Sequence, residues 1–314
     1  MRIARTAEGR AVANIEAGRA GARPGGKASR ERLDVLLVER GLAPSRERAR
    51  ALIMAREVRV DGRIVDKAGT LVPRSAECEL IGPAAELRYV SRGGLKLERA
   101  LDAFGLDPGG LVCLDVGAST GGFTDVLLRR GAARVYAIDV GRGQLAWSLR
   151  SDPRVVVLDR TNVRHLATLP ERGDCAVIDV SFISLRLVLP PVAALLRPGA
   201  WMVALIKPQF EAGRAEADRG AGVISDPKVH RRILHELVSW LDTSRADHAP
   251  AAGAAGTRLA AQGLIVSPIT GREGNREYLL RLAALSPDAD AWSSAVTEGD
   301  IARAVDEAFA ESGP

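Results

Sequence analysis

Two lysines and two acids stand at telling places in this sequence. Lys207 closes the apolar run Trp201–Ile206 and is followed by Pro208, and Asp179 lies at the end of a second apolar run, Ala176–Val180. Glu277 opens the alternating run Glu277–Leu282, and Lys96 follows Ser91-Arg92-Gly93-Gly94-Leu95. Any one of these residues alone reads as half of a surface ion pair. A lysine at the end of an apolar run is harder to explain that way. Partial burial beside a carboxylate tunes a lysine. Such a lysine depresses the pKa of a bound hydroxyl or accepts its proton.

A second constellation is the turn Leu114-Asp115-Val116-Gly117-Ala118-Ser119-Thr120-Gly121-Gly122-Phe123, which follows an apolar run and opens a helix-like segment. Its glycines would let the backbone approach a nucleotide-like ligand closely. The fingerprint Gly-x-Gly-x-x-Gly is absent, and the spacing Gly-x-x-x-Gly disfavours a pyrophosphate grip. The loop suits a ligand with a carboxylate and an amine, such as the methionine end of S-adenosylmethionine. Asp139 ends the next apolar run, 22 residues beyond Gly117, where a carboxylate accepts hydrogen bonds from ribose hydroxyls. Asp159 ends the third and could meet an adenine amino group. The candidate cofactor-binding residues are therefore Asp115, Gly117, Ala118, Ser119, Gly121, Phe123, Asp139 and Asp159. The plain alternative is a tight strand–helix turn with solvent-facing acids at strand ends.

Both constellations need a scaffold that gathers strand ends. Apolar runs recur at Val112–Val116, Val135–Ile138, Val155–Leu158, Ala176–Val180, Trp201–Ile206 and Leu264–Val266, most of them separated by helix-length segments. That alternation predicts an α/β, Rossmann-like domain with a largely parallel sheet covered on both faces. In such sheets the ligand crevice lies at the carboxyl ends of the strands. If the last strand, Glu277–Leu282, runs antiparallel to the rest, its start lies at that edge too. Asp179, Lys207 and Glu277 then converge, and Lys96 enters from the preceding helix.

Ahead of this domain the pattern changes. Leu33, Leu36, Leu37 and Arg40 mark a short helix closed by Gly41, and Ser45 is placed to cap a second helix running through Arg56. Val58–Val60 and Arg63–Val65 read as a hairpin around Asp61-Gly62. The expected division is a disordered basic tail (1–29), a small α+β RNA-binding domain (30–86), an interdomain linker (87–95), the Rossmann-like domain (96–285) and a C-terminal tail with a short lone helix (286–314). The Ala/Gly-rich stretch Asp247–Gly256 reads as a flexible insertion.

Charge follows the same division. Residues 1–29 and 30–74 each carry a net +4, which leaves the other 240 residues at −3 against a total of +5. A basic front on a slightly acidic body suits an anionic partner. Arg46, Arg48, Arg50, Arg56, Arg59, Arg63 and Arg92 are the candidate RNA-binding residues, about half of them expected to be plain solvated arginines. No apolar stretch approaches the roughly 20 residues of a spanning helix, which disfavours a pore-forming protein, and residues 1–27 contain no secretory apolar block. Cys78, Cys113 and Cys175 are odd in number and far apart in sequence, which argues against a disulfide framework and a zinc site and fits a reducing, cytoplasmic setting. His230 and His235, five apart, are poorly spaced for a shared metal, so no metal is expected, and Trp147 reads as core.

The chain resembles the TlyA family, hemolysin-like proteins that are FtsJ-type ribosomal RNA 2′-O-methyltransferases, from about Arg32 to Leu280. The resemblance rests on Asp-Val-Gly-Ala-Ser-Thr-Gly-Gly-Phe-Thr (115–124), Asp-Val-Ser-Phe-Ile-Ser (179–184), Lys-Pro-Gln-Phe-Glu (207–211) and Gly-Asn-Arg-Glu-Tyr (274–278). The front module is similar to a small RNA-binding domain first seen in a ribosomal protein. The resemblance implies a Lys-Asp-Lys-Glu catalytic tetrad at Lys96, Asp179, Lys207 and Glu277, with S-adenosylmethionine as methyl donor. It also implies ribose 2′-hydroxyls of cytidine in ribosomal RNA, in one or both subunits, as acceptors. Lys207 would sit nearest the reacting oxygen as base or electrostatic stabiliser, Asp179 would hold it, and Lys96 and Glu277 would orient the ribose; the division of work between the two lysines stays open. Some members carry Arg-x-Trp-Val in the linker, where this chain has Leu87-Arg88-Tyr89-Val90. Competing readings are a ribosome-assembly factor that has lost the chemistry, a methyltransferase with another acceptor, and a membrane-lytic protein.

Overall fold

The computed structural model describes residues 30–40, 42–43, 45–54, 56–81, 89–213, 216, 222–243, 258–271, 274–285 and 294–310. The tail 1–29, Gly41, the linker residues Leu87 and Arg88 and the stretch Asp247–Gly256 lie outside the described residues. The chain forms two compact units. One runs up to Val90 and includes Ala146–Ser148; the other takes in the remainder from Ser91.

In the first unit, Arg30–Arg32 (β1) pairs antiparallel with Leu71–Pro73 (β4), and Val58–Val60 (β2) lies between Arg63–Ile64 (β3) and Cys78–Leu80 (β5). The helices are Leu33–Glu39 (α1) and Arg46–Met54 (α2). Asp61 and Gly62 take φ of 45° and 77°, the left-handed pair that a two-residue hairpin turn requires. Ser45 Oγ accepts the Arg48 N–H at 3.1 Å, the cap expected of it. The second helix stops at Met54 rather than Arg56, whose φ of 60° lies outside helical space. Leu33, Leu37, Ala49, Ile53 and Val58 are fully buried and form the core, each large one contributing about 1.5–3 kcal/mol. Strands β1, β4 and β5 were not legible, being three residues long and too short to show alternation.

The second unit is built on a seven-stranded sheet. Its strands are Val112–Val116 (β6), Arg134–Ile138 (β7), Val155–Leu158 (β8), Gly173–Ile178 (β9), Leu196–Ile206 (β10), Arg258–Val266 (β11) and Tyr278–Leu285 (β12), in the order β11-β12-β10-β9-β6-β7-β8. The ladders joining β8, β7, β6, β9 and β10 are parallel, and β12 is antiparallel to both its neighbours. The predicted α/β class holds, and the last strand is reversed, the condition on which Glu277 reaches the edge of Asp179 and Lys207. The sheet is accompanied by Gly93–Phe104 (α3), Gly122–Arg129 (α4), Leu185–Ala194 (α5), Pro208–Glu211 (α6), Pro227–Thr243 (α7) and Glu298–Ala310 (α8). Strands buried on both faces explain the near-continuous apolar runs.

Several sequence expectations need correction. Helix α8 is not a lone appendage: its Ile301, Ala304 and Val305 are buried in the sheet's main core. Its last turn also accepts a hydrogen bond from Arg276 Nε at the Ala308 carbonyl (2.6 Å), and Phe309 lies 4.1 Å beneath the Arg276 guanidinium. The polar sequence before it, 286–297, hid this docking. Trp147 is 70% exposed rather than core. Cys113 and Cys175, far apart in sequence, are buried register partners on β6 and β9. His230 is a packing residue: fully buried, it donates through Nε2 to the Ile224 carbonyl (2.9 Å) and accepts from Tyr278 Oη at Nδ1 (2.7 Å). Burial pushes its pKa down, so the ring is neutral.

Candidate active site

Sheet register brings the four charged residues together. Ile206 of β10 faces Tyr278 of β12, so Lys207, just past one strand, and Glu277, just before the other, leave the sheet at the same edge. Asp179 follows the adjacent β9, whose Ile178 is aligned with Ala204. Lys96 comes from the first turn of α3. Lys96 Nζ donates to Glu277 Oε2, and both side chains are buried, 10% and 3% exposed. Lys207 Nζ lies 2.6 Å from Asp179 Oδ1 and donates to Ser181 Oγ at 2.9 Å. Burial pushes the Glu277 carboxyl up, against the pull of Lys96 and Lys207. Ile206 and Tyr278 are register partners, so Lys207 and Glu277 leave the sheet side by side and the two pairs are neighbours. Removing one partner from a buried pair leaves an uncompensated charge, at a cost of about 3–5 kcal/mol.

The glycine turn closes the next part of that edge. Gly117 has φ of 87°, and a Cβ there would sit 2.3 Å from the Asp179 carbonyl oxygen. The glycine is thus explained by packing of the protein against itself, a cause the sequence did not reveal. The N–H groups of Gly117 and Ala118 donate to the Ile138 carbonyl, that of Ser119 to Asp139 Oδ2 at 2.8 Å, and that of Gly121 to the Ala118 carbonyl. With these four donors used internally, the turn cannot cradle a phosphate through them.

What the turn offers instead is acceptors. Asp115 is fully buried; its Oδ2 accepts the Thr124 hydroxyl at 2.6 Å and its Oδ1 has no hydrogen-bond partner among the described residues. Burial pushes its pKa up to about 7. Asp139, half-buried at the end of β7, accepts from Ser119 and Gly141 N–H. Asp159, after β8, accepts from Gly143 N–H (3.1 Å) and Arg150 Nη2 (2.8 Å), which hold its pKa below the usual range. An orphaned buried carboxylate oxygen and two further carboxylates at strand ends fit a cationic ligand rich in N–H and O–H donors. Ser119 is exposed and Gly117 half-buried, whereas Ala118, Gly121 and Phe123 are buried and shape the turn from behind.

The candidate RNA-binding arginines are not equivalent. Arg46 and Arg50 are ion-paired with Asp34, Arg59 with Glu79 at 3.1 Å, and Arg56 with Asp66 at 3.8 Å. Arg63 is exposed on β3, Arg48 is half-buried on α2, and Arg92 is exposed just before α3, in the second unit.

Sequence reasoning quoted the motifs 179–184 and 207–211 without assigning their inner residues. Glu211 accepts the Ser184 hydroxyl at Oε2 (2.6 Å) and the Leu185 N–H at Oε1 (2.7 Å), tying together the loops that follow β9 and β10. Phe182, two residues before Ser184, is 90% exposed with φ of 63°, its ring centroid 4.9 Å from that of Phe210. The signal available was the pairing of a buried-type acid and an aromatic in each motif.

Residues 89–249 match the family model described as FtsJ-like methyltransferase, and residues 31–78 match the S4 domain. The chain is 44% identical over 281 residues to the 16S/23S rRNA (cytidine-2′-O)-methyltransferase TlyA of Mycobacterium tuberculosis, covering 87% of this chain and 99% of that protein. It is 37% identical over 257 residues to Hemolysin A of Brachyspira hyodysenteriae, covering 79% and 98%. A solved structure of a hemolysin-like protein from Streptococcus thermophilus superposes with a TM-score of 0.67 at 39% identity, covering 91% of this chain and 98% of that one.

Proposed function

Because this chain belongs to the TlyA family of FtsJ-like methyltransferases and carries an S4 domain, we propose that it methylates the 2′-hydroxyl of a cytidine in ribosomal RNA. The observation that carries this reading is the meeting of two lysine–carboxylate pairs, Lys96–Glu277 and Lys207–Asp179, at the edge where β9 and β10 end and β12 begins. S-adenosylmethionine, when bound, supplies an electrophilic methyl group on a sulfonium. The acceptor set of Asp115, Asp139 and Asp159 suits its ammonium, ribose hydroxyls and adenine amino group.

A ribose hydroxyl is a poor nucleophile, so the protein must hold it in line and manage its proton. Lys207 does so, as base or as counter-charge to the growing oxyanion. Asp179 and Ser181 fix the Lys207 ammonium at that place. Lys96 and Glu277, locked by burial, orient the ribose. Phe182 offers an exposed aromatic face on which an unstacked base can rest, the usual way single-stranded RNA is read. The module 30–86 grips phosphates, 87–95 links it to the catalytic domain 96–285, and the assembled partner is a ribosomal subunit. That substrate places the protein in the cytoplasm; among the described residues no helix is long and apolar enough to cross a membrane.

The test is transfer of labelled methyl to naked ribosomal RNA and to separated subunits, with 2′-O-methyl sites mapped by resistance to alkaline cleavage. Lys207→Ala should lose about 10²–10⁴ in rate while binding RNA as before. Lys207→Arg keeps the charge and cannot act as base, so activity in that variant would assign Lys207 as a counter-charge. Full methylation by Lys207→Ala would refute the assignment.

A further inference from the structure

Arg276 and Tyr278 stand on either side of Glu277 in the chain. Glu277 turns to Lys96 on α3, while Tyr278 lies in the core shared with α7 and α8. Arg276 also turns to α8. Its Nε donates to the Ala308 carbonyl at 2.6 Å, and its guanidinium carbon lies 4.1 Å from the Phe309 ring centroid. Ala308 belongs to the last turn of α8, where carbonyls lack a partner within the helix and the dipole favours a cation.

Phe309 carries the contact onward. It meets the His230 ring of α7 edge-on, with centroids 5.1 Å apart at 87°. His230 meets Tyr278 edge-on at 5.6 Å and 69°, and the two share a 2.7 Å hydrogen bond. The contacts therefore close a circuit: Arg276, Phe309, His230, Tyr278 and back through the main chain of Glu277. The Glu277 side chain is the one member of that stretch facing the other way, toward the candidate active site.

Glu277 has little room to shift. Its carbonyl accepts the Ser267 N–H at 2.9 Å, which fixes the side nearest β12. A Cβ at Gly271 would overlap its Oε1. The side nearest Arg276 is the one that the last turn of α8 secures. A misplacement of about 1 Å in a reacting geometry can cost about 100-fold in rate.

We infer that Arg276 and Phe309 are positioning residues. Through them the last turn of α8 clamps the backbone beside Glu277 and holds the Lys96–Glu277 pair in register for the ribose. This inference rests on the role proposed above for Glu277. Neither residue needs to touch substrate or donor, so the clamp acts on turnover and not on binding.

The test is steady-state methyl transfer by full-length variants to each separated ribosomal subunit that the wild type methylates, with thermal unfolding alongside. Phe309→Ala should lower kcat about 10- to 100-fold on every such subunit, with KM for the subunit and calorimetric affinity for S-adenosylmethionine unchanged. Phe309→Tyr keeps the ring and should restore turnover. Arg276→Gln should reproduce the loss, and the double variant should be no slower than the slower single one, because both break one circuit. Ile301→Val, in the first turn of the same helix, should lower the thermal midpoint and leave kcat alone. Wild-type kcat in folded Phe309→Ala overturns the clamp; if that variant does not fold, wild-type kcat in Arg276→Gln does so. Losses that multiply in the double variant, or that appear equally in Ile301→Val, also overturn it. A raised KM with kcat intact, or a loss confined to one of two methylated subunits, would show that α8 meets the substrate instead. Absence of methyl transfer by the wild type to any ribosomal RNA would sink the functional reading on which the clamp depends.

Discussion

Gly117 and the carbonyl of Asp179 touch: a single added methyl group on Gly117 would lie 2.3 Å from that oxygen. The glycine turn and the Asp179 loop are therefore one packed unit, so displacing either moves the other. Gly117→Ala meets both this backbone and the φ of 87°. The backbone conformation alone costs about 1–3 kcal/mol and overpacking a similar amount. We expect thermal unfolding to fall by roughly 5–10 °C, with donor binding and methyl transfer both lost. Retention of donor affinity with transfer alone abolished would show that the two loops are not mechanically joined.

Asp115 gives a pH signature. Its folded pKa of about 7 lies above the ordinary value of about 3.9 because burial disfavours the charge. A carboxyl with a raised folded pKa favours the folded state fully at low pH. That contribution is lost as pH rises from about 4 to about 7, by about 3–4 kcal/mol over the window. Asp115→Asn does not titrate, so the stability of the wild type relative to Asp115→Asn should decline between pH 4 and pH 7 in urea titrations. The same ionisation readies the unpartnered Oδ1 for a cationic ligand. Affinity for S-adenosylmethionine, measured by calorimetry, should thus rise through pH 7 in the wild type and stay level in Asp115→Asn. A level wild-type profile would remove Asp115 from donor binding.

What the sequence disclosed was what periodicity and strand ends encode. The parallel sheet and the emergence of Asp179 and Lys207 at one edge follow from where apolar runs stop, since a residue just past a buried strand must emerge at the sheet edge; the reversal of the last strand, on which the meeting with Glu277 depends, was a condition the runs themselves did not decide. What it hid was tertiary. Nothing local tells that Gly117 is required by Asp179, which is 62 positions away in the chain. Nothing local shows that Arg46 and Arg50 are committed to a buried Asp34 rather than to solvent. The docking of α8 was missed because its few buried residues, Ile301, Ala304 and Val305, follow a polar stretch that reads as a tail.

Glu211 should act on catalysis without touching substrate. Its two oxygens accept from Ser184 Oγ and the Leu185 N–H, fixing the start of α5 and with it the loop that follows Asp179. Glu211→Gln can still accept the Leu185 N–H, but its amide NH₂ must donate to the Ser184 hydroxyl, reversing that hydrogen bond and replacing charge-assisted bonds by neutral ones at about 0.5–1.5 kcal/mol. A lower kcat with unchanged donor affinity, and partial recovery in Glu211→Asp, is the expected pattern. Unaltered turnover in Glu211→Gln would mean that the loop holds its shape without this clamp.

Phe182 carries opposed demands. Its ring is 90% exposed and its φ of 63° is costly for any residue but glycine. Beyond its contact with Phe210, so exposed and strained a ring gains little for folding, and its use lies in what it meets. Phe182→Gly relieves the backbone and should raise stability by about 1 kcal/mol, seen as a higher urea midpoint. The same change removes the stacking face, worth about 1–3 kcal/mol per base. KM for ribosomal RNA should then rise roughly 5- to 150-fold, with affinity for S-adenosylmethionine unchanged. Phe182→Tyr, which keeps the face, should behave like the wild type. A Phe182→Gly protein that is more stable and equally active would show that the ring plays no part in presenting the nucleotide.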